Sequence, residues 1–350
     1  MSNLQLWLAV AGGLVLVVVV AHSTWTSRQS QPKQAEPLVS QEELDALVAE
    51  PSAELGDDLQ TGHAFPGMPH ELPHLDARSQ LDALIDVIAT MELDSPVSGE
   101  AAIAALPPIR RVGNKLFLVE GLNADSGEWE TLQTQRYYSA FQAGMQVANR
   151  QGPLNDIEFS EFVVKTQAFA EVFSATPEFP DMNEVVAQAR ELDHFASAHD
   201  AQLGFTLASR KAAWSPGYVQ QQAARIGFVP GVIPGRMVVP AATPGLPPVL
   251  VLTFDARAAM AEDPNQAALR SVSLSLDVPQ VARADQPFVR LRQAADWLAQ
   301  QMDGAVTDGD GQRLGHDVLD QIALDLEHLY DALDQRELSA GSAQARRLFS

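Results

Sequence analysis

The chain has 350 residues, and its 23 Lys and Arg against 45 Asp and Glu give a formal net charge of −22. This anionic excess excludes bulk binding to the phosphates of DNA or RNA, because no surplus of cations is available to displace counterions. The absence of cysteine excludes disulfides, thiolate zinc sites, iron–sulfur clusters and a cysteine nucleophile. The length suggests two domains of ordinary size, or one domain with tails.

Residues 1–27 are predicted to be a membrane anchor. The run from Leu4 to Ala21 is almost entirely apolar, and as a helix it would cover about 27 Å, close to the hydrocarbon thickness of a bilayer. A cleaved signal peptide is the alternative, but it normally has a positively charged start and a shorter apolar core. The residues expected at the membrane include Leu4, Trp7, Leu14 and Val20.

The orientation of this anchor follows from the charges that flank it. The nearby basic side chains, Arg28 and Lys33, come after the apolar run. The positive-inside rule therefore predicts a single-pass protein of the inner membrane, with a short periplasmic N-terminus and its bulk in the cytoplasm.

Residues 28–80 are predicted to be a disordered acidic linker. Between residues 28 and 77 there are ten acidic and two basic side chains, six prolines and no long apolar period. Such a stretch cannot bury enough apolar surface to fold, and its like charges repel one another. We expect it to act as a tether that holds the rest of the chain away from an anionic membrane surface.

Residues 81–198 and 199–338 are predicted to be two copies of one α+β pattern in tandem. Each copy reads as an apolar strand, a helix, a set of strands and then two helices. Consecutive strands joined by turns favour an antiparallel sheet with helices packed on one face. Residues 339–350 are predicted to be a disordered tail.

No catalytic or metal-binding motif emerges from the sequence. There is no nucleophile elbow, Walker loop, dinucleotide fingerprint or zinc-protease helix. Asp308 to Gly311 resembles part of a calcium loop, but Val306 occupies the place of the first ligand, so a hairpin turn is the better interpretation. We therefore expect no enzyme activity, no metal, no cofactor and no small-molecule substrate.

Residues 200–337 resemble the C-terminal domain of the ZipA cell-division protein family. The likeness lies in the stretches 200–205, 222–228, 248–254 and 273–279, in the long helix and the hairpin at 304–308 that follow, and in the order of anchor, linker and α+β domain. The resemblance implies a sheet backed by helices, whose open face binds the C-terminal peptide of FtsZ, the tubulin-like division GTPase. Through anchor and linker, such a protein would hold FtsZ filaments at the division septum.

Carried over by position, the resemblance places the peptide groove at or beside seven residues: Phe228, Val229, Leu252, Phe254, Ala256, Ser273 and Ser275. The family has bulky apolar side chains on the outward face of the strand at 273–277, where this chain has serines and Asp277. The groove is thus expected to be weakened, shifted, or moved to the first copy.

Three alternatives stay open from the sequence. The first copy offers Phe141 and Met145 on its corresponding strand. Leu252 and Phe254 fit a plain core equally well, because the two faces of a strand cannot be oriented from its sequence alone. In function, the alternative is a membrane-anchored scaffold of the cell envelope that binds a different protein partner.

Overall fold

The computed structural model describes residues 32–34, 79–261 and 267–350. The predicted α+β class with antiparallel sheets is confirmed. The described residues form two compact units, of which unit 1 contains 32–34, 202–261, 267–277 and 285–324. Unit 2 contains 79–201, 278–284 and 325–350. The anchor residues Leu4, Trp7, Leu14 and Val20 lie outside the described part of the chain.

Unit 2 contains the first predicted copy, residues 199–201, 278–284 and 325–338 of the second, and the chain end. Its elements from the first copy are β1 Asp86–Ser98, α1 Gly99–Ala105, β2 Arg111–Val112, β3 Lys115–Asn123, β4 Trp129–Thr131, β5 Tyr137–Gln146, β6 Ala148–Asn149, β7 Gly152–Pro153, α2 Asp156–Glu171, β8 Pro177–Glu178 and α3 Met182–His199. The main sheet has the order β2-β3-β5-β1-β8, and β4 pairs with β3.

Aromatic packing joins α2 to the inner face of this sheet. Asn155 and Glu158 begin the helix with a capping box, which satisfies the backbone N–H groups at its start. Phe162 and Phe169 then contact Phe117 of β3 and Phe141 of β5, with ring centroids 6.1 and 5.2 Å apart. Helices α2 and α3 are the two helices that the sequence predicts at the end of the first copy.

Unit 1 is built from the second predicted copy. Its elements are β9 Gln202–Ser209, α4 Pro216–Ala224, β10 Val229–Pro230, β11 Arg236–Val239, β12 Leu250–Thr253, α5 Ala256–Ala259, β13 Ser271–Asp277, α6 Pro287–Met302 and β14 Gly304–Thr307. Its sheet has the order β10-β11-β12-β13-β9-β14. Helix α7, His316–Gln335, begins in unit 1 and ends in unit 2.

The two sheets place their first strand in the same way. In each sheet, neighbouring strands pair with one another as an antiparallel meander, β2-β3-β5 in unit 2 and β10-β11-β12-β13 in unit 1. The first strand of the unit lies between the last strand of that meander and a short strand that follows a long helix. In unit 2, β1 lies between β5 and β8; in unit 1, β9 lies between β13 and β14. All of these pairings are antiparallel. The order of elements read twice from the sequence therefore corresponds to the same placement of the first strand in both sheets, while the meander has four strands in line in unit 1 and three in unit 2.

The prediction of a disordered tail at 339–350 is wrong. Residues Ala343–Leu348 form helix α8, and Leu348 and Phe349 are buried in unit 2. The guanidinium of Arg347 donates to both carboxylate oxygens of Asp86, at 2.8 and 2.5 Å. The tail is ordered because its apolar side chains are buried in unit 2 and its cation Arg347 has a partner more than 250 residues earlier in the chain, a pairing that local composition does not reveal.

The ion pair with Arg347 stabilises the ionised form of the buried Asp86 carboxylate. Its side chain is buried, and burial raises the pKa of the Asp86 carboxyl above its usual value while Arg347 acts to lower it. We expect Arg347→Ala to lower the free energy of unfolding by about 3–5 kcal/mol, because it leaves a buried carboxylate without its cation. Urea denaturation measures the change.

Arg336→Ala is the matched control for that variant. Arg336 pairs with Glu191 in the same unit, but both side chains are about half exposed or more. Exposed pairs contribute little, so this variant should lose no more than about 1 kcal/mol. Equal losses in the two variants would contradict a structural role for the Arg347–Asp86 pair.

Tyr330 of α7 gives a second test of unit 2. Its hydroxyl is buried with no hydrogen-bond partner among the described residues, and burial, helped by the charge of Glu327, raises its pKa from 10.0 to about 12. In the unfolded chain the phenol ionises first, so stability falls as the pH rises from 10 toward 12. We expect Tyr330→Phe to keep or raise stability at neutral pH and to lessen that alkaline decline, as measured by thermal melts at several pH values.

Candidate functional site

The alternating burial of side chains along strand β13 shows which face of the unit 1 sheet is buried. Val272, Leu274 and Leu276 are buried, whereas Ser273 and Ser275 between them are partly exposed. Phe205 of β9 lies on the buried side and meets Phe288 of α6, with ring centroids 6.4 Å apart. The predicted alternation along this strand, with the serines outward, is confirmed.

The other face of this sheet carries two rows of side chains that cross the strands. Residues directly opposite in antiparallel strands share a face. The pairing places one row as Val229, Val238, Val251, Ser275 and Gly204, and a second as Arg236, Thr253, Ser273, Thr206 and Thr307. We call these two rows the open face. Its first row is apolar from β10 to β12, where Val229, Val238 and Val251 lie, and the rest of the face is small or polar, with Arg236 as its charged member.

A groove of about 390 Å³ adjoins the apolar end of the open face. Its lining comprises Pro230, Gly231, Val232, Ile233, Arg236, Val238, Pro240, Ala241, Thr243, Pro244, Gly245, Leu246 and Pro248. Arg236 is the one charged side chain in that lining. Val232 is fully exposed and Ile233 is 56% exposed, so large apolar side chains are in contact with solvent at this end of the unit.

Sequence reasoning placed some of the groove residues on the wrong face. Phe228, Leu252 and Phe254 are buried in the core of unit 1, at 2%, 0% and 9% exposure. Leu252 faces inward because it is paired between Met237 and Leu274, which are both buried. The plain-core alternative for Leu252 and Phe254 is therefore the correct one.

The remaining predicted residues lie where a ligand could reach them. Val229, Ser273 and Ser275 belong to the open face, and Val229 is 45% exposed. Ala256, at the start of α5, is partly exposed and packs close to Gly235. The structure thus brings three of the seven predicted residues together on one face.

The apolar end of the open face was missed by the sequence reasoning. Val238 and Val251 alternate with buried neighbours in β11 and β12, so their strands were predicted but their outward side was not. The amino-acid composition of residues 229–248 could have indicated the groove. Residues 229–248 hold six prolines together with Val232, Ile233 and Leu246, and an apolar stretch too rich in proline for a central strand is expected at a surface.

The corresponding face of unit 2 is covered by its own chain. This outer face, opposite α2, carries Glu120 and Gln142 in one row and Asp86 and Gln146 in another. The buried carboxylate of Glu120 accepts hydrogen bonds from Ser79 Oγ at 2.6 Å, from the Gln80 backbone N–H, and from the Leu81 backbone N–H at 3.1 Å. Residues 79–80, predicted as the end of the disordered linker, are therefore bound to the sheet.

Two further contacts complete this cover. The side chain of Leu81 lies against Gly144, where a Cβ atom would come within 2.4 Å of its Cδ2. At the end of the face, Gln146 donates to the backbone carbonyl of Arg347 at 2.6 Å. Phe141 and Met145 lie on the inner face and are fully buried. The alternative groove at Phe141 and Met145 is thus wrong, since both residues are core.

His199 and Asp200, which are adjacent at the end of α3, and Asp308 in the turn after β14 all have structural partners. His199 stacks on Phe195 with centroids 4.2 Å apart, and Asp200 pairs with Arg150 at 2.6 Å. Asp308 accepts the backbone N–H groups of Asp310 and Gln312, and Thr307 bridges to Arg313, so the predicted hairpin turn is confirmed. Within the described residues, no group of three or more His, Asp or Glu is placed to hold a metal ion.

Comparison with known proteins does not assign this chain to a family. Neither the scan against family models nor the search of curated proteins finds a match for this sequence. Among the described residues, no helix has the length and apolar character needed to cross a bilayer. The predicted anchor at 1–27 lies outside those residues.

A pair of substitutions in β12 tests the assignment of faces. We expect Leu252→Ala to lower the free energy of unfolding by about 2–5 kcal/mol, because it leaves a cavity in the core. Its neighbour Val251 points to the open face, so Val251→Ala should cost about 1 kcal/mol or less. Thermal or urea denaturation measures both, and a larger loss for Val251→Ala would reverse the assignment.

Proposed function

We propose that unit 1 is a peptide-binding module whose ligand lies on the open face. The observation that carries the proposal is the row of Val229, Val238 and Val251 beside an exposed apolar groove. A peptide that places apolar side chains in this groove would remove Val232 and Ile233 from water, which is the main favourable contribution to such binding. Arg236 favours a ligand with a carboxylate close to those side chains.

The difference between the two units supports unit 1 as the binding copy. In unit 2 the outer face is occupied by residues 79–81 and by the chain end at Arg347. In unit 1 the residues of the open face are partly or fully exposed, apart from Thr307. A ligand can therefore reach unit 1 without first displacing any segment of residues 32–34, 79–261 or 267–350.

The partner we propose is the C-terminal peptide of FtsZ, as the resemblance to the ZipA family implies. In this proposal residues 1–27 anchor the chain in the inner membrane, and unit 1 attaches the Z-ring to that membrane during septum assembly. The serines at 273 and 275 leave the middle of the open face without bulky apolar groups. The contacts that hold the peptide are therefore proposed to lie nearer the β10–β11 edge than in the family.

The groove is tested with the full-length chain in nanodiscs and a fluorescent FtsZ C-terminal peptide. We expect Ile233→Asp to weaken binding at least tenfold, because it puts a charge into the apolar groove; tenfold corresponds to about 1.4 kcal/mol. Ile233 is more than half exposed, so the change should leave folding intact. Fluorescence anisotropy gives the dissociation constants.

Val289→Asp is the matched control for this experiment. Val289 lies on α6 of the same unit at 47% exposure, and it is not part of the groove lining. It should bind the peptide like the unchanged chain. Equal weakening in both variants would contradict the groove, and no binding by the unchanged chain would contradict FtsZ as the partner. In the latter case, a fluorescent fusion spread evenly over the membrane of dividing cells would favour the envelope scaffold.

A further inference from the structure

A short piece of the predicted linker is docked on unit 1. Residues 32–34 are described, and Lys33 forms a parallel bridge with Trp214. The Lys33 N–H donates to the Ala213 carbonyl at 2.7 Å, and the Ser215 N–H donates to the Lys33 carbonyl at 2.8 Å. Both backbone groups of Lys33 are therefore satisfied by unit 1, and the prediction of disorder is wrong at this point.

The side chain of Lys33 contacts two helices of unit 1, α4 and α6. Its ammonium donates to the carbonyl of Met302 at 2.9 Å and lies 5.9 Å from the centre of the Tyr218 ring. The same carbonyl accepts the indole N–H of the fully buried Trp214 at 2.8 Å. Met302 is the last residue of α6, where the backbone carbonyls carry partial negative charge, and this favours a cation.

Because Lys33 comes soon after the apolar run, its contact with unit 1 limits the distance between that run and unit 1. The apolar run ends at Ala21, so eleven residues, 22–32, separate it from the docked lysine. Fully extended, they span at most about 37 Å. Among the described residues, the next one after Gln34 that is bound to a folded unit is Ser79. The 57 residues from 22 to 78 would span roughly 190 Å if fully extended.

We propose that the Lys33 site is a latch that holds unit 1 close to the membrane. The inference rests on the proposed anchor at residues 1–27, and its ligand is the chain's own segment 32–34. With the latch closed, the acidic stretch after Gln34 does not set the distance between unit 1 and the bilayer. With the latch open, that stretch and unit 2 come between the anchor and unit 1 along the chain, and the module can reach farther.

Energy transfer from unit 1 to the membrane tests the latch. The chain has no cysteine, so Gln220→Cys on the exposed side of α4 gives a single donor site in the full-length protein. Acceptor lipids are included in the vesicles. Lys33→Pro removes both the ammonium and the backbone N–H, and we expect it to reduce the transfer efficiency at least twofold. Gln34→Glu changes the net charge by the same one unit at an exposed neighbour and should leave the transfer unchanged.

The outcomes separate the latch from the proposed anchor. Flotation of the labelled protein with vesicles reports the anchor alone, and loss of flotation would overturn both the anchor and the membrane-proximal role. If the protein floats and Lys33→Pro transfers as efficiently as the unchanged chain, the latch is overturned while the anchor stands. In protein without vesicles, the NMR signal of the Trp214 indole N–H should shift in Lys33→Pro and not in Gln34→Glu, because the two donors share the Met302 carbonyl. An unshifted signal would overturn the Lys33 site itself.

Discussion

The antiparallel pairing of β13 with β9 and β12 is the constraint on which the surface of unit 1 depends. Because opposite residues share a face, burying Leu274 also buries Phe205 and Leu252, its partners in the two neighbouring strands. Ser273 and Ser275 must then turn outward. A shift of one residue would exchange these sets and expose the core, so the register that forms the core also determines what a partner can touch.

The two sheets place their first strand alike, but their outer faces differ in what covers them. In unit 2 the outer face carries buried polar groups, chiefly Glu120 and Asp86, and the chain itself satisfies them through residues 79–81 and Arg347. In unit 1 the open face carries valines, serines and threonines, which need no buried charge partner. The first arrangement joins distant parts of the chain into one unit, whereas the second leaves a face available for binding.

The segment 28–80 is less uniform than its composition suggests. Composition indicates whether a stretch can fold by itself, and this one lacks the apolar residues to do so. It does not indicate whether a few of its residues bind to a unit formed elsewhere. Lys33 and Ser79 do so through hydrogen bonds to Met302 and Glu120, which are far away in sequence.

The sequence alone determined the α+β class, the longer strands and helices of both copies, the inward and outward alternation of β13 and the turn at Asp308, because each follows from local periodicity and turn chemistry. The short strands β2, β4, β6, β7, β8 and β10 and the short helix α5 were not predicted. Only the tertiary structure decided that Leu252 is core, that Val238 and Val251 line the open face, and that the chain end folds as α8. The reason is physical: a period of two fixes which residues share a side, but the neighbouring strand or helix decides which side is buried. The pairing of Arg347 with Asp86 likewise depends on contacts that leave no local trace.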